Sequence, residues 1–188
     1  TGLKKRISVP LTLLLLGAAA GLCFDHPCTP AQSPSEWEKA IYPRDWNFPR
    51  DHGAHREYRT EWWYFTGTLQ GPAGARFGYQ LTFFRFGLRR DVPMNDNPWH
   101  LRDLFMGHFA VTEASHNRFR FAERISREGP GLAGAAGDGL RVRLLNWSAT
   151  MEHSVISLAA EDGPLKINLT LTPLKPPVIH GADGVSIK

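Results

Sequence analysis

From about residue 57 onward, large apolar and polar residues alternate with a period of two, in short runs separated by Gly, Pro, Asn or Asp. Such alternation is the mark of half-buried strands, because successive side chains on a strand point to opposite faces. Seven strands are predicted, at 57–69, 75–88, 104–114, 117–124, 140–150, 154–160 and 165–174. The last is the clearest. Leu165, Ile167, Leu169 and Leu171 fall on one face, and Lys166, Asn168, Thr170 and Thr172 on the other, as in an antiparallel sheet wet on one side. No segment of comparable length has a helical period. "LQGPAGAR" reads as a hairpin connection, and "RRDVPMNDNPWHLRD" and "SREGPGLAGAAGDG" as long loops. Many short strands with short hairpins and a few rim loops predict an all-β antiparallel barrel or sandwich.

The beginning of the chain departs from this pattern. Lys4, Lys5 and Arg6 precede the apolar run "ISVPLTLLLLGAAAGLCF", in which Ala18, Ala19 and Ala20 supply a small-residue cleavage site. Residues 1–20 therefore read as a signal peptide, with a retained membrane anchor as the alternative. The expected location is secreted or periplasmic, or membrane-anchored through an uncleaved leader. Residues 21–50 read as an extended leader with one helical turn at 35–41. Its Trp37, Tyr42, Trp46 and Phe48 make it too aromatic for a free linker, so it is expected to lie across the β domain of 51–188. The chain carries 22 Lys and Arg against 18 Asp and Glu. Three of the four excess positive charges are Lys4, Lys5 and Arg6, so the mature domain is close to neutral and has no nucleic-acid footprint. Cys23 and Cys28, the only cysteines, flank the processing region and would close a very small loop.

Within the first strand, "TEWWYFTGTLQG" sets Glu61 among two tryptophans, a tyrosine and a phenylalanine. Strand parity groups Glu61 with Trp63, Phe65 and Leu69, and Trp62 with Tyr64 and Thr66. A carboxylate on an apolar face needs a partner, or else a raised pKa that keeps it protonated. Arg85, grouped with Tyr79 and Phe83 on the next strand, is a candidate structural partner. If catalytic, Glu61 needs a second proton-transfer group, and His108 is the candidate. Trp62, Trp63, Tyr64, Tyr79, Gln80, Arg85 and Trp147 are the candidate ligand-binding wall.

Other chemistries lack support. There is no G-x-S-x-G elbow for a serine hydrolase. His52 and His55 have the spacing of a metal pair that Glu57 or His26 could assist, but exposed loop histidines are commoner, and no metal or other cofactor is assigned. "GPGLAGAAGDG" is not followed by a helix pattern, which argues against a phosphate cradle.

The succession "HGAHREYRTEWWYFTGTLQG", "FGYQLTFFRFGLR", "NDNPWHLRDLFMGHFAVTE", "RFRFAERISREGPGLAGA", "LLNWSATM" and "LTLTPLKPPVIHGADGVSIK" resembles the N-terminal half of the AttH-type lipocalin-like family. That family includes carotenoid 1,2-hydratase, also called hydroxyneurosporene synthase, and many proteins labelled as predicted secreted hydrolases. The resemblance spans about residues 50–188. It implies a lipocalin-like β domain that pairs with a second, similar domain beyond residue 188. The function it implies is binding of an apolar or amphipathic small molecule. A hydratase or isomerase acting on a lipid or terpenoid-like substrate is the alternative, and an accessory role beside a transport system is the third. No catalytic residue of the hydratase is carried onto a position here.

Overall fold

The computed structural model describes residues 36–90, 97 and 99–185. The signal-peptide reading, Cys23, Cys28 and His26 lie outside these residues. Two antiparallel sheets face each other. The first joins β1 (Thr60–Gln70), β2 (Arg76–Gly87), β3 (Asp103–Glu113) and β4 (Arg118–Arg127) in sequential order. The second joins β5 (Ala133–Ala135), β6 (Arg141–Leu144), β7 (Trp147–Glu152), β8 (Val155–Asp162) and β9 (Leu165–Leu171), also sequentially. This is the all-β barrel or sandwich that the alternation predicts.

Strand register explains which side chains meet. Across the inner face of the first sheet, Phe65, Leu81, Phe109 and Ala122 form one row, and Trp63, Phe83, Gly107 and Arg124 form the next. Leu81, Phe83 and Phe109 are wholly buried against Leu144, Trp147 and Leu158 of the second sheet. At Gly107 the first sheet passes close over the second. A Cβ there would lie 2.7 Å from Leu144 and 3.0 Å from Trp147, so only glycine lets the indole sit under β3. The indole N–H donates to the Glu161 carbonyl at 3.0 Å, which satisfies the one polar atom of an otherwise apolar core residue.

Three sequence expectations are corrected. The stretch 140–150 is not one strand. Leu145 adopts φ 57° and, with Asn146, turns the chain between β6 and β7, although no Gly or Pro marks the turn. The loop 126–139 contains β5, whose sequence Ala-Gly-Ala carries no strand signal. The predicted helical turn at 35–41 is absent from the described part of that segment. There Glu38 instead forms a parallel bridge with Tyr58, its N–H donating to the Glu57 carbonyl at 3.0 Å.

Residues 36–50 lie against the end of the first sheet. Trp37 covers Gly87, where a Cβ would come within 2.2 Å of the ring, and Trp46 packs edge-on to His55.

A candidate site over Glu61 and His55

The residues before β1 fold back over the sheet end. Arg50–His52 form one 3-10 turn. Gly53 then passes so close to the loop after β5 that a Cβ would meet the Ala136 carbonyl oxygen at 2.8 Å. The Ala54 N–H donates to the same oxygen at 2.7 Å, which fixes the following residue, His55, above Glu61.

Glu61 is held from three directions. The His55 backbone N–H donates to its two oxygens at 2.9 and 3.0 Å, and the His55 Nδ1 lies 2.6 Å from Oε1. The Arg85 Nε donates to Oε2 at 3.2 Å from the facing position of β2. Burial alone would raise the Glu61 pKa, but the His55 hydrogen bonds and the Arg85 charge outweigh it and hold the carboxyl below its ordinary value. Glu61 is thus a carboxylate that accepts hydrogen bonds, and the protonated state considered from sequence is not the resting one. Because a carboxylate only accepts, the Nδ1 of His55 carries the proton and Nε2 is left as the second ring position, 3.7 Å from Asp51 Oδ1.

Arg85 is wholly buried, and its guanidinium is correspondingly well supplied. Besides Glu61 it donates to Asp103 Oδ1 at 3.2 Å and to the carbonyls of His55 and Tyr58 at 2.9 and 2.8 Å. Asp103 passes the charge on to Arg56, which also reaches Glu128 at 2.7 Å and the Ala135 carbonyl at 3.1 Å. Arg102 in turn donates to Glu128 at 3.2 Å. One ionic network therefore runs from β1 through β2 and β3 to the residue after β4, and it ties the 51–58 segment to both sheets. Burial pushes the Asp103 carboxyl up, opposed by Arg56 and Arg85. Asp51 is lowered to about 2 by the Arg50 hydrogen bond, aided against burial by the Asn47 N–H and the Arg44 charge.

Two depressions flank this cluster, and both are lined by Trp46, His55, Glu61 and Trp62. The first, about 540 Å³, adds Tyr42, Arg44, Tyr58 and Arg59. The second, about 420 Å³, opens toward Leu140, which precedes β6, and toward Met151 and Ile156 of the second sheet. The wall is largely aromatic, and its polar groups are the His55 imidazole and Glu61 carboxylate shared by both depressions, with Glu38, Arg44, Arg59 and Asp183 added in the first.

The remaining sequence candidates divide between the two faces of the sheet. Trp63, Tyr79, Arg85 and Trp147 point inward. Trp63 donates its indole N–H to the His52 carbonyl at 2.9 Å, while Tyr79 and Trp147 belong to the core. Trp62, Tyr64, Gln80 and His108 are on the outer face, where Tyr64, Thr82, His108 and Glu123 occupy one transverse row. Glu61 and His108 therefore lie on opposite sides of the sheet and do not form one acid–base pair. His108 Nε2 is 3.0 Å from Glu123 Oε2 but is not aligned as a hydrogen bond, and its ring packs between Phe84 and Phe121. Sequence reasoning missed His55 as the partner of Glu61, because the spacing of His52 and His55 suggests only a possible metal pair, which it does not assign. Among the described residues no group of three or more His, Cys, Asp or Glu side chains is placed to hold a metal ion.

The family model described as AttH-like matches residues 39–188. This chain belongs to the AttH-like family. Among solved structures, the AttH-like chain is similar to a candidate AttH from Nitrosomonas europaea, with a TM-score of 0.65 and 26% sequence identity over 78% of its own length. The AttH-like chain spans 43% of that protein. No curated protein matches it.

Proposed function

We propose that this domain binds a small apolar or amphipathic molecule in the cleft beside Glu61. The observation that carries the reading is the cleft itself. About 540 Å³ of open space is walled by the exposed rings of Tyr42 and Trp62 and by Trp46, with the Glu61–His55 pair at its base. A mostly apolar concavity with a few convergent polar groups is the usual form of a small-molecule site. The ionic network behind Glu61 favours a rigid base. The apolar run of residues 1–20, read as a signal peptide, supports a site of action outside the cytoplasm.

Titration with retinol, a neutral polyene alcohol, followed by quenching of tryptophan fluorescence, tests the reading. Saturable binding with a Kd of about 1–10 µM is expected, near −7 to −8 kcal/mol. Trp62→Ala should weaken it at least severalfold. Absence of saturation, or equal affinity in the variant, would reject the cleft as the site.

A second reading, hydration of a polyene, is favoured by the orientation of His55. Adding water to an alkene needs a proton donor and a group that orients water. Glu61 fixes the Nδ1–H, so Nε2 is the ring position available to move a proton, with Glu61 as a positioning residue. His55→Gln should then abolish water addition to an acyclic polyene, measured by product mass, and leave retinol affinity within a factor of about two. Undiminished hydration by that variant would remove this second reading and leave the binding reading intact.

A further inference from the structure

At the end of the sandwich away from Glu61, the inner face of the first sheet changes character. The row Leu69, Phe77, Glu113, Arg118 and the next row Gly67, Tyr79, Val111, Arg120 run from apolar side chains on β1 and β2 to arginines on β4. β9 faces them with Leu165 and Ile167, both nearly buried. Between these strands lies a depression of about 440 Å³, a size ordinary for a small-molecule site. Its floor is Leu69, Phe77, Val111 and Ile167, and its rim carries Arg118, Arg120, Lys166 and the carboxylate of Glu113.

The rim charges are not equivalent. Arg118 is paired with Glu113 at 2.5 Å, and Lys166 with Glu161 at 2.8 Å. The Arg120 guanidinium has no carboxylate partner among the described residues. A cation without a partner beside an apolar floor is complementary to a molecule that carries an apolar chain and one negative charge.

We propose that this corner is a second binding site, for a single-chain amphiphile of the long-chain carboxylate class. The chain lies on Leu69, Phe77, Val111 and Ile167, and the carboxylate accepts hydrogen bonds from Arg120. Arg118 and Lys166 are neutralised by Glu113 and Glu161, so the net positive charge of the site is that of Arg120.

The test uses the fluorescent polyene carboxylate cis-parinarate and its uncharged methyl ester with the whole chain. Parinarate should bind saturably. The exposed Arg120→Glu variant, checked for an unchanged unfolding transition, should bind parinarate about tenfold or more weakly, the worth of a charge-assisted hydrogen bond. The methyl ester should bind the wild-type chain more weakly and should not respond to the substitution. Retinol affinity at the Glu61 cleft should be the same in Arg120→Glu, which separates failure of this site from failure of the other. Equal parinarate affinity in wild type and variant, or an ester that binds as tightly as the acid, would overturn the proposal. So would loss of parinarate binding in Trp62→Ala with full binding in Arg120→Glu.

Discussion

Glu61 and Arg85 face each other across β1 and β2 in direct register, with Oε2 and Nε 3.2 Å apart, and the arginine is wholly enclosed. A carboxylate in a dense aromatic stretch is thus accounted for by a buried cation on the neighbouring strand and by a histidine folded over it. Removing one member of a buried pair leaves the other uncompensated, which is strongly destabilising even where the pair itself adds little. Glu61→Gln should therefore destabilise the domain by about 3 kcal/mol, toward the lower end of that range because Asp103 still faces Arg85. Urea unfolding measures this, and an unchanged midpoint would show that Arg85 is satisfied without Glu61.

The pH dependence of stability follows from the shifted carboxylates, of which Asp51, Glu61, Glu113 and Glu128 are lowered and Asp103 is raised. Glu61 and Asp51 have folded pKa values below their ordinary ones, Asp51 at about 2. Such groups contribute stability that is fully present above the unfolded pKa and is lost as pH falls through the folded value. Asp103 is shifted upward and acts with the opposite sign. The transition temperature should be level near neutrality, decline below the ordinary carboxylate range, and continue to fall toward pH 2. Asp51→Asn should flatten the lowest part of that decline, as followed by circular dichroism at fixed ionic strength.

Gly53 is a second point of failure, through backbone. A Cβ there would meet the Ala136 oxygen at 2.8 Å and the Gly139 nitrogen at 2.9 Å, neither of which can rotate away. Gly53→Ala should cost about 1–3 kcal/mol as an overpacked position and shift His55 off Glu61. The diagnostic readout is the His55 ring resonance by NMR, expected to move far more than that of the distant His116.

Strand alternation made most of the fold legible in advance. Within each strand it groups Glu61 with Trp63 and Arg85 with Phe83, because parity needs only local sequence, whereas the placing of His108 on the face opposite Glu61 follows from the register between strands. It also pointed to Arg85 as a partner of Glu61. What it could not supply were pairings set by tertiary closure. His55, Arg56, Asp103 and Glu128 meet only when the 51–58 segment folds over the sheet end, and nothing in their spacing announces it. β5 was hidden because Ala-Gly-Ala has no side-chain pattern, and the turn at Leu145 because a leucine with positive φ sits inside an apolar run.

The outer face of the first sheet gives another expectation. Phe119, Phe121 and Ile125 are each more than half exposed on β4, and Trp62 and Tyr64 likewise on β1. Contiguous apolar surface of this kind is unusual on a monomer that stays alone in solution. The chain should bind a hydrophobic dye such as ANS, and the double substitution Phe121→Lys with Ile125→Lys should sharply reduce the signal without lowering the melting temperature.

Glu61 is an ionised anchor for Arg85 and His55 rather than a proton-carrying acid. The direct measurement is the carboxyl carbon shift of Glu61 followed by NMR through a pH titration. A midpoint below the ordinary glutamate value of about 4.3 is predicted. A midpoint above that value would contradict the account, because the carboxyl would then be governed by burial and not by its two partners.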